Sequence, residues 1–514
     1  MAKNSSSENI QIKIGAILSY LTIIINILAG LIYTPWMINE IGQSDYGLYS
    51  LVISFIGYFT MDFGLGSAVS RFVSKGLAKN DEDEVGKMLG LIFKAYFVIT
   101  ALISIVLLAL FFHINQIFVQ LTPEELVKFR IVYVIAGLFG IISFPFTPLN
   151  GVLISYEYFG PLKMCDLLNK FITIALMIVC LFKGGGLYAL VFVNAGVSLF
   201  IILIKLIVIK KGTSFKVQWR YRDNRLLKSI FSFSIWSSII IVAQQLLINI
   251  TPTVLSVTSG TVAISIFAIG NTIQGYTWSI ANALNGLFMC KVTRMENEKN
   301  DTAINHLMIR IGRIQLLIIG ALVIGFLVLG KEFIYLWLGE AFEDAYYVAL
   351  LLISPSLITV TEEIANTKLY VVNEIKFRAI FFIGASILSV IISFVLSPEL
   401  GAIGSAIGIF TATVLCHVIA MNAVYYKVLN IDIFAFFREC HGKIIIPLFV
   451  CAGFGFLLVY AIPGYSWLKF ILAGIMYVLF YTLIMWIFVM NEGEKDIFRR
   501  CWKILGKLLV RKKG

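Results

Sequence analysis

Runs of about twenty apolar residues recur from one end of this 514-residue chain to the other, and a run of that length is what a helix needs to cross the hydrocarbon core of a bilayer. No other feature of the sequence constrains the fold as much. Hydrocarbon offers no hydrogen-bond partner to a backbone, so each run must satisfy its own N–H and C=O groups, and a single segment does that only as a helix. Charged residues make up 14% of the chain, against about 25% in soluble domains, too few to coat a water-facing surface. The fold class that follows is an all-α polytopic membrane protein with about fourteen transmembrane helices. The spans are expected at 14–33, 46–66, 88–112, 131–149, 164–182, 187–209, 230–251, 262–289, 314–338, 346–365, 379–396, 402–426, 444–462 and 467–490.

A net charge of +12 would point to nucleic acid in a soluble protein. Here the basic residues sit in short loops between apolar runs, and the bias of Lys and Arg toward cytoplasmic loops explains them. With the amino end inside, only Lys128, Arg130, Lys183, Lys331 and Lys469 of the 41 basic residues fall on the outer side. This places both termini in the cytoplasm and the protein in the cytoplasmic (inner) membrane. In the tail, Phe498, Trp502, Leu505 and Leu509 recur at helical spacing among basic residues. They predict either an amphipathic helix on the anionic inner leaflet or a plain topology anchor. The seven cysteines form no CxxC pair, and no HExxH, GxSxG or phosphate-loop motif occurs. No metal, cofactor or catalytic residue is expected, and the first apolar run is long enough to be retained as a span.

The chain repeats itself. Thr34-Pro35 returns as Thr251-Pro252, Lys79-Asn80-Asp81 as Lys299-Asn300-Asp301, Asn150 and Leu153 as Asn366 and Leu369, and Gly186 as Gly401. The offsets stay near 217 throughout, which predicts two parallel six-helix lobes, residues 1–211 and 212–428. An appended pair of spans (429–493) and the basic tail (494–514) follow. Two such lobes enclose a cavity that can open to either side.

Polar residues inside spans are costly in lipid and face protein or water. Asn271, Gln274, Trp278, Asn282 and Asn285 of the eighth span fall on one helical face. Asn26 lies on a similar stripe in the first span, Tyr58 and Asp62 on one in the second, and Gln245 and Asn249 in the seventh. Amides and aromatics together suit a sugar, offering partners for hydroxyls and flat faces for stacking. Hydrogen bonding between packed helices is the competing reading. Asp62, a carboxylate deep in its span, is a candidate for coupling transport to a proton. Glu362, Glu363 and His417 are also deep, the histidine reading more simply as structural.

The stretch Ile41-Gly42-Gln43-Ser44-Asp45-Tyr46-Gly47-Leu48-Tyr49-Ser50-Leu51, followed by Asp62-Phe63-Gly64-Leu65-Gly66 and Arg71, resembles the N-terminal signature of polysaccharide repeat-unit flippases. These are the Wzx-type O-antigen and capsule transporters of the multidrug/oligosaccharidyl-lipid/polysaccharide (MOP) exporter superfamily. The resemblance implies a V-shaped, MATE-like, two-lobed fold whose first, second, seventh and eighth spans line the cavity. It implies translocation of an undecaprenyl-pyrophosphate-linked oligosaccharide to the outer leaflet, driven by a proton or sodium gradient. Membrane lipids are partners, and polysaccharide polymerase and glycosyltransferases are candidate ones. A cationic entrance for the pyrophosphate is then expected at Arg71, Lys94, Lys291, Arg294 and Arg310, with Arg313 on the same rim; loop cations required for topology are the competing reading. On an unbroken helix Arg71 would face away from Asp62, so a bend is expected near Gly64 and Gly66. A MATE-like small-molecule exporter is the alternative, and a membrane glycosyltransferase or polymerase a more distant one.

Overall fold

The computed structural model describes residues 2–62, 65–79, 81–213, 216–282, 288–462, 464–496 and 499, with the backbone alone at 2–20, 65, 67–68, 227, 229–234, 237, 282 and 290. Among the described residues the chain is helical throughout and has no strand. In order the helices are α1 (Ala2–Ile41), α2 (Gln43–Thr60), α3 (Leu65–Ala78), α4 (Glu82–Ile117), α5 (Pro123–Ser143), α6 (Pro148–Ser155), α7 (Phe159–Phe182), α8 (Gly186–Gly212), α9 (Asn224–Thr258) and α10 (Thr261–Asn282). There follow α11 (Met289–Asn297), α12 (Asp301–Leu338), α13 (Asp344–Ile353), α14 (Ser356–Thr359), α15 (Glu363–Val371), α16 (Ile375–Ala412), α17 (Met421–Lys427), α18 (Ile433–Phe436), α19 (Gly442–Ala461) and α20 (Trp467–Ile484). Single π-helical stretches lie at Thr413–Ala420, Phe437–His441 and Met485–Val489.

Eleven helical segments of the described residues are long and apolar enough to cross a membrane. The difference from the expected number lies in three places. Helices α2 and α10 are not among the eleven, because Gln43, Ser44 and Asp45 dilute the first and Asn271, Gln274 and several hydroxyls dilute the second. The third is Ile375–Lys427, a single helical run interrupted only at Gly401 (φ 54°, ψ −131°). There the chain folds back on itself, and the Ser397 and Ser405 hydroxyls meet at 2.8 Å.

Two compact units result, 1–269 with 375–412 and 270–374 with 413–514. Residues 212–269 and 375–412, which the repeat assigns to the second lobe, thus pack within the first unit. In that unit α16 lies along α9, where Ile240, Ala243, Ala379 and Phe382 form a buried seam. Ser386 Oγ donates to the Ala243 carbonyl across it at 2.6 Å. Phe55, Phe118, Phe129 and Tyr133 fill the space between α2, α4 and α5. In the second unit α12 is the spine, with α19 and α20 against it. The Tyr481 hydroxyl donates to the Leu317 carbonyl at 2.8 Å, satisfying a polar group that would be expensive in lipid.

The repeat is also written in the backbone. Positive φ angles pair up at the repeat offset: Gly42 (84°) with Gly260 (84°), Glu157 (59°) with Asn373 (61°), and Gly186 (57°) with Gly401 (54°). A non-glycine residue at positive φ is uncommon. Glu157 and Asn373 therefore mark the same turn made twice.

Candidate functional site

In the first unit α1, α2 and α9 carry the polar groups expected to meet a substrate. Three of their side-chain oxygens are buried without a hydrogen-bond partner among the described residues: Asn26 Oδ1, Tyr33 Oη and Thr251 Oγ1. An orphaned buried group costs about 1–3 kcal/mol, and three on neighbouring elements call for an explanation. Pro35 and Pro252 sit inside α1 and α9 at these same levels, and proline breaks the regular ladder. Not every expected residue is unpartnered. The Tyr58 hydroxyl donates to the Asn249 carbonyl and ties α2 to α9, while the Asn249 amide donates to Gln245 Oε1 one turn earlier. These three form a hydrogen-bonded chain between packed helices.

Asp62 stands at the interruption between α2 and α3. Helix α2 ends with Met61 in extended conformation (ψ 151°), and α3 begins at Leu65. The Asp62 carboxylate accepts the Gly66 N–H at 3.0 and 3.1 Å and the Tyr96 hydroxyl at 2.5 Å. It caps the first turn of α3 and anchors it to α4, occupying the positive end of the helix. The expected bend is present beside Gly64, which itself lies outside the described residues. Arg71 is exposed on α3. Lys94 is held differently from a free entrance cation, its ammonium donating to the Tyr221 carbonyl at 2.8 Å.

In the second unit the stripe on α10 divides. Gln274 is buried, its amide donating to the Leu352 carbonyl of α13 at 3.3 Å, with Gly270 pressed on Val348 of the same helix. Asn271 and Trp278 are partly exposed on the adjoining face. The side chain of Asn282 and all of Asn285 lie outside the described residues, as do Phe498, Trp502, Leu505 and Leu509 of the tail. Lys291, Arg294 and Arg310 are exposed. Arg313 is not: it is buried against Glu494 at 2.6 Å and cannot belong to a solvent-facing rim. Glu362 is buried and accepts the Asn422 amide at 2.6 Å. No group of metal ligands forms among the described residues.

Sequence reasoning missed Glu125. It joins Ser44 and Thr261, and its own turn carries a legible signal. In Thr122-Pro-Glu-Glu125 the Thr122 hydroxyl accepts the Glu125 N–H and Glu125 accepts the Thr122 N–H, a reciprocal cap that starts α5.

The sequence matches the polysaccharide biosynthesis protein family over residues 12–288, more than half of the chain. The chain belongs to that family. Among curated proteins none matches this family member in sequence. Among solved structures it is similar to the lipid II flippase MurJ in an inward closed conformation (TM-score 0.66, 16% identity, 91% of this chain and 99% of that one). An inward-facing multidrug resistance MATE transporter of the MOP superfamily is also similar (TM-score 0.63, 14% identity, 80% and 99%). So is a MOP superfamily transporter from Pyrococcus furiosus (TM-score 0.58, 16% identity, 81% and 94%). At these identities the likeness establishes the fold, which is that of MATE and MurJ. With eleven described segments long and apolar enough to cross a membrane, the chain is a multi-pass membrane protein of this fold.

Proposed function

We propose that this polysaccharide biosynthesis protein is a flippase. It carries an undecaprenyl-pyrophosphate-linked oligosaccharide repeat unit from the cytoplasmic to the outer leaflet of the inner membrane by alternating access, with both termini in the cytoplasm. The observation that carries this reading is the family match over 12–288 on a fold shared with a lipid II flippase over 91% of the chain. The MATE transporter covers a smaller share of this chain, 80%, in keeping with the appended pair of spans expected at 429–493. The orphaned oxygens of Asn26, Tyr33 and Thr251 would take sugar hydroxyls as partners, and Asn271 and Trp278 are the corresponding candidates in the second unit. A diphosphate carried toward low dielectric needs counter-charge. Exposed Arg71, Lys291, Arg294 and Arg310 would supply it, arginine bonding two phosphate oxygens at once. Asp62 would couple the cycle to a proton or sodium gradient by releasing or recapturing the first turn of α3. Glycosyltransferases and a polymerase would act before and after it.

The test is reconstitution into sealed vesicles with a fluorescent lipid-linked oligosaccharide and an impermeant quencher. Protein-dependent exchange between leaflets is expected. No exchange rejects the flippase reading, elongation of the sugar would make the protein a polymerase, and efflux of cationic dyes without lipid exchange would make it an exporter.

A further inference from the structure

We infer that Glu125 latches a gate at the outer ends of α2, α5 and α10, and that Ser44 and Thr261, at the matching helix starts of the two repeats, are its two leaves. The inference rests on the alternating-access reading and orientation above. Ser44 is the second residue of α2, two positions after Gly42, and Thr261 opens α10 just after Gly260, both glycines at φ 84°. The two residues are 217 positions apart, one short of the 218 between the glycines, so they stand at the matching helix starts one position out of register, and their hydroxyls lie 3.1 Å from each other. In a molecule built from two parallel repeats, matching helix starts that touch lie beside the axis relating the repeats. A pathway along that axis closes where they meet.

Glu125 holds the two together. Thr261 donates to its Oε1 at 2.7 Å and Ser44 donates to the same oxygen. The other oxygen accepts the Thr122 N–H at 2.9 Å, so the cap of α5 fixes the carboxylate in place. Hydrogen bonds to a charged acceptor are about twice as strong as neutral ones. One turn into α2, a Cβ on Gly47 would collide with the Thr261 carbonyl, so only glycine permits this approach. Lys128 of α5 also pairs with Asp45 of α2 at 2.7 Å. Opening this end separates Ser44 from Thr261 and strips at least one hydroxyl from Glu125.

Two variants test the inference. In Ser44→Cys/Thr261→Cys, oxidation is expected to form a crosslink that neither single variant forms with the native cysteines. Flux should stop and return on reduction. In Glu125→Gln, a cysteine placed at Asn26 should react with an outside, impermeant thiol reagent roughly tenfold faster, the factor set by losing one charge-assisted hydrogen bond. Failure to crosslink, full flux in the crosslinked protein, or unchanged reactivity in Glu125→Gln would each overturn the gate. Crosslinking and reactivity are read without transport, so they judge the gate even if wild-type protein moves no lipid-linked oligosaccharide and the flippase reading falls.

Discussion

Removing Glu494 should unfasten the end of the last span from α12. Arg313 and Glu494 are 6% and 2% exposed, and the guanidinium is fully engaged. Nε and Nη2 donate to the carboxylate at 2.6 and 3.1 Å, Nη2 to the Val489 carbonyl at 2.8 Å, and Nη1 to the Glu439 carbonyl at 3.0 Å. Stripping one partner from a buried pair costs about 3–5 kcal/mol. Two carbonyl partners remain for Arg313 in Glu494→Ala, so the lower end applies, about 3 kcal/mol. If that cost falls on local opening of 485–496, it raises the open population by about a hundredfold. Hydrogen exchange of that segment in lipid nanodiscs reads the change directly. Arg313→Met/Glu494→Leu should return protection close to wild type, because an apolar pair of similar volume needs no partner. Unchanged exchange in Glu494→Ala, or a double variant as loose as the single, would refute the reasoning. A practical consequence follows for flux. Arg313→Gln should lower protein abundance while leaving transport per molecule intact, whereas the exposed Arg310 can be tested for phosphate contact without that confusion.

Arg71→Gln is expected to reduce flux at least about tenfold, one lost charge-assisted contact. Lys79→Gln, which breaks only an exposed pair with Glu84 at 2.9 Å, should change it little; equal mild effects would leave Arg71 a topology cation. Trp278→Ala and Asn271→Ala should slow transport at normal abundance, while Gln274→Ala should lower abundance because its amide bonds α13; normal flux in the first two would make that face packing surface. Asp62→Asn keeps a cap for α3 and removes the charge, so transport should persist while its dependence on the proton gradient weakens, and undiminished dependence removes Asp62 from coupling. A cysteine at Glu343 should react with an impermeant reagent in intact cells and one at Arg222 should not, the reverse pattern inverting the orientation.

Much of this architecture was legible because lipid is an unforgiving solvent. Eleven described segments carry the length and apolarity of a span where such runs were expected, and the interruption beside Gly64 followed from a geometric conflict between Asp62 and Arg71 on one unbroken helix. Helical periodicity also collected the α10 stripe, but it could not say which edge of the stripe meets α13. That depends on Gly270 admitting Val348, a fact of tertiary packing. Arg313 was misread for the same reason. Its partner is 181 positions away, and an arginine beside other arginines at the start of an apolar run carries no mark that distinguishes a buried ion pair from a rim cation. Glu125 went unnoticed because it sits in the first turn of α5, ahead of the apolar run, in a stretch of ordinary composition. Its capping pattern was visible, yet its contact with Ser44 and Thr261 depends on how three helix ends converge.

The repeat explains why backbone and chemistry were legible to different degrees. The two halves make the same turns at Gly42 and Gly260, Glu157 and Asn373, and Gly186 and Gly401, so one half's geometry can be read from the other. The side chains have parted company. Lys368, 3% exposed, donates to Asp301 at 2.6 Å and to the Leu429 carbonyl at 2.9 Å, with Glu296 at 3.4 Å. Counting back through Asn366 and Asn150, its counterpart is Val152, fully buried against α3 beside Gly151. Asp301 has its counterpart in Asp81, which instead caps α4 through the Glu84 N–H at 2.8 Å. One half is stitched by a buried ammonium where the other is packed with an isopropyl group. Duplication supplies the same turns twice, because backbone geometry at a positive φ leaves few alternatives, and divergence leaves each copy to satisfy its own buried groups in its own way.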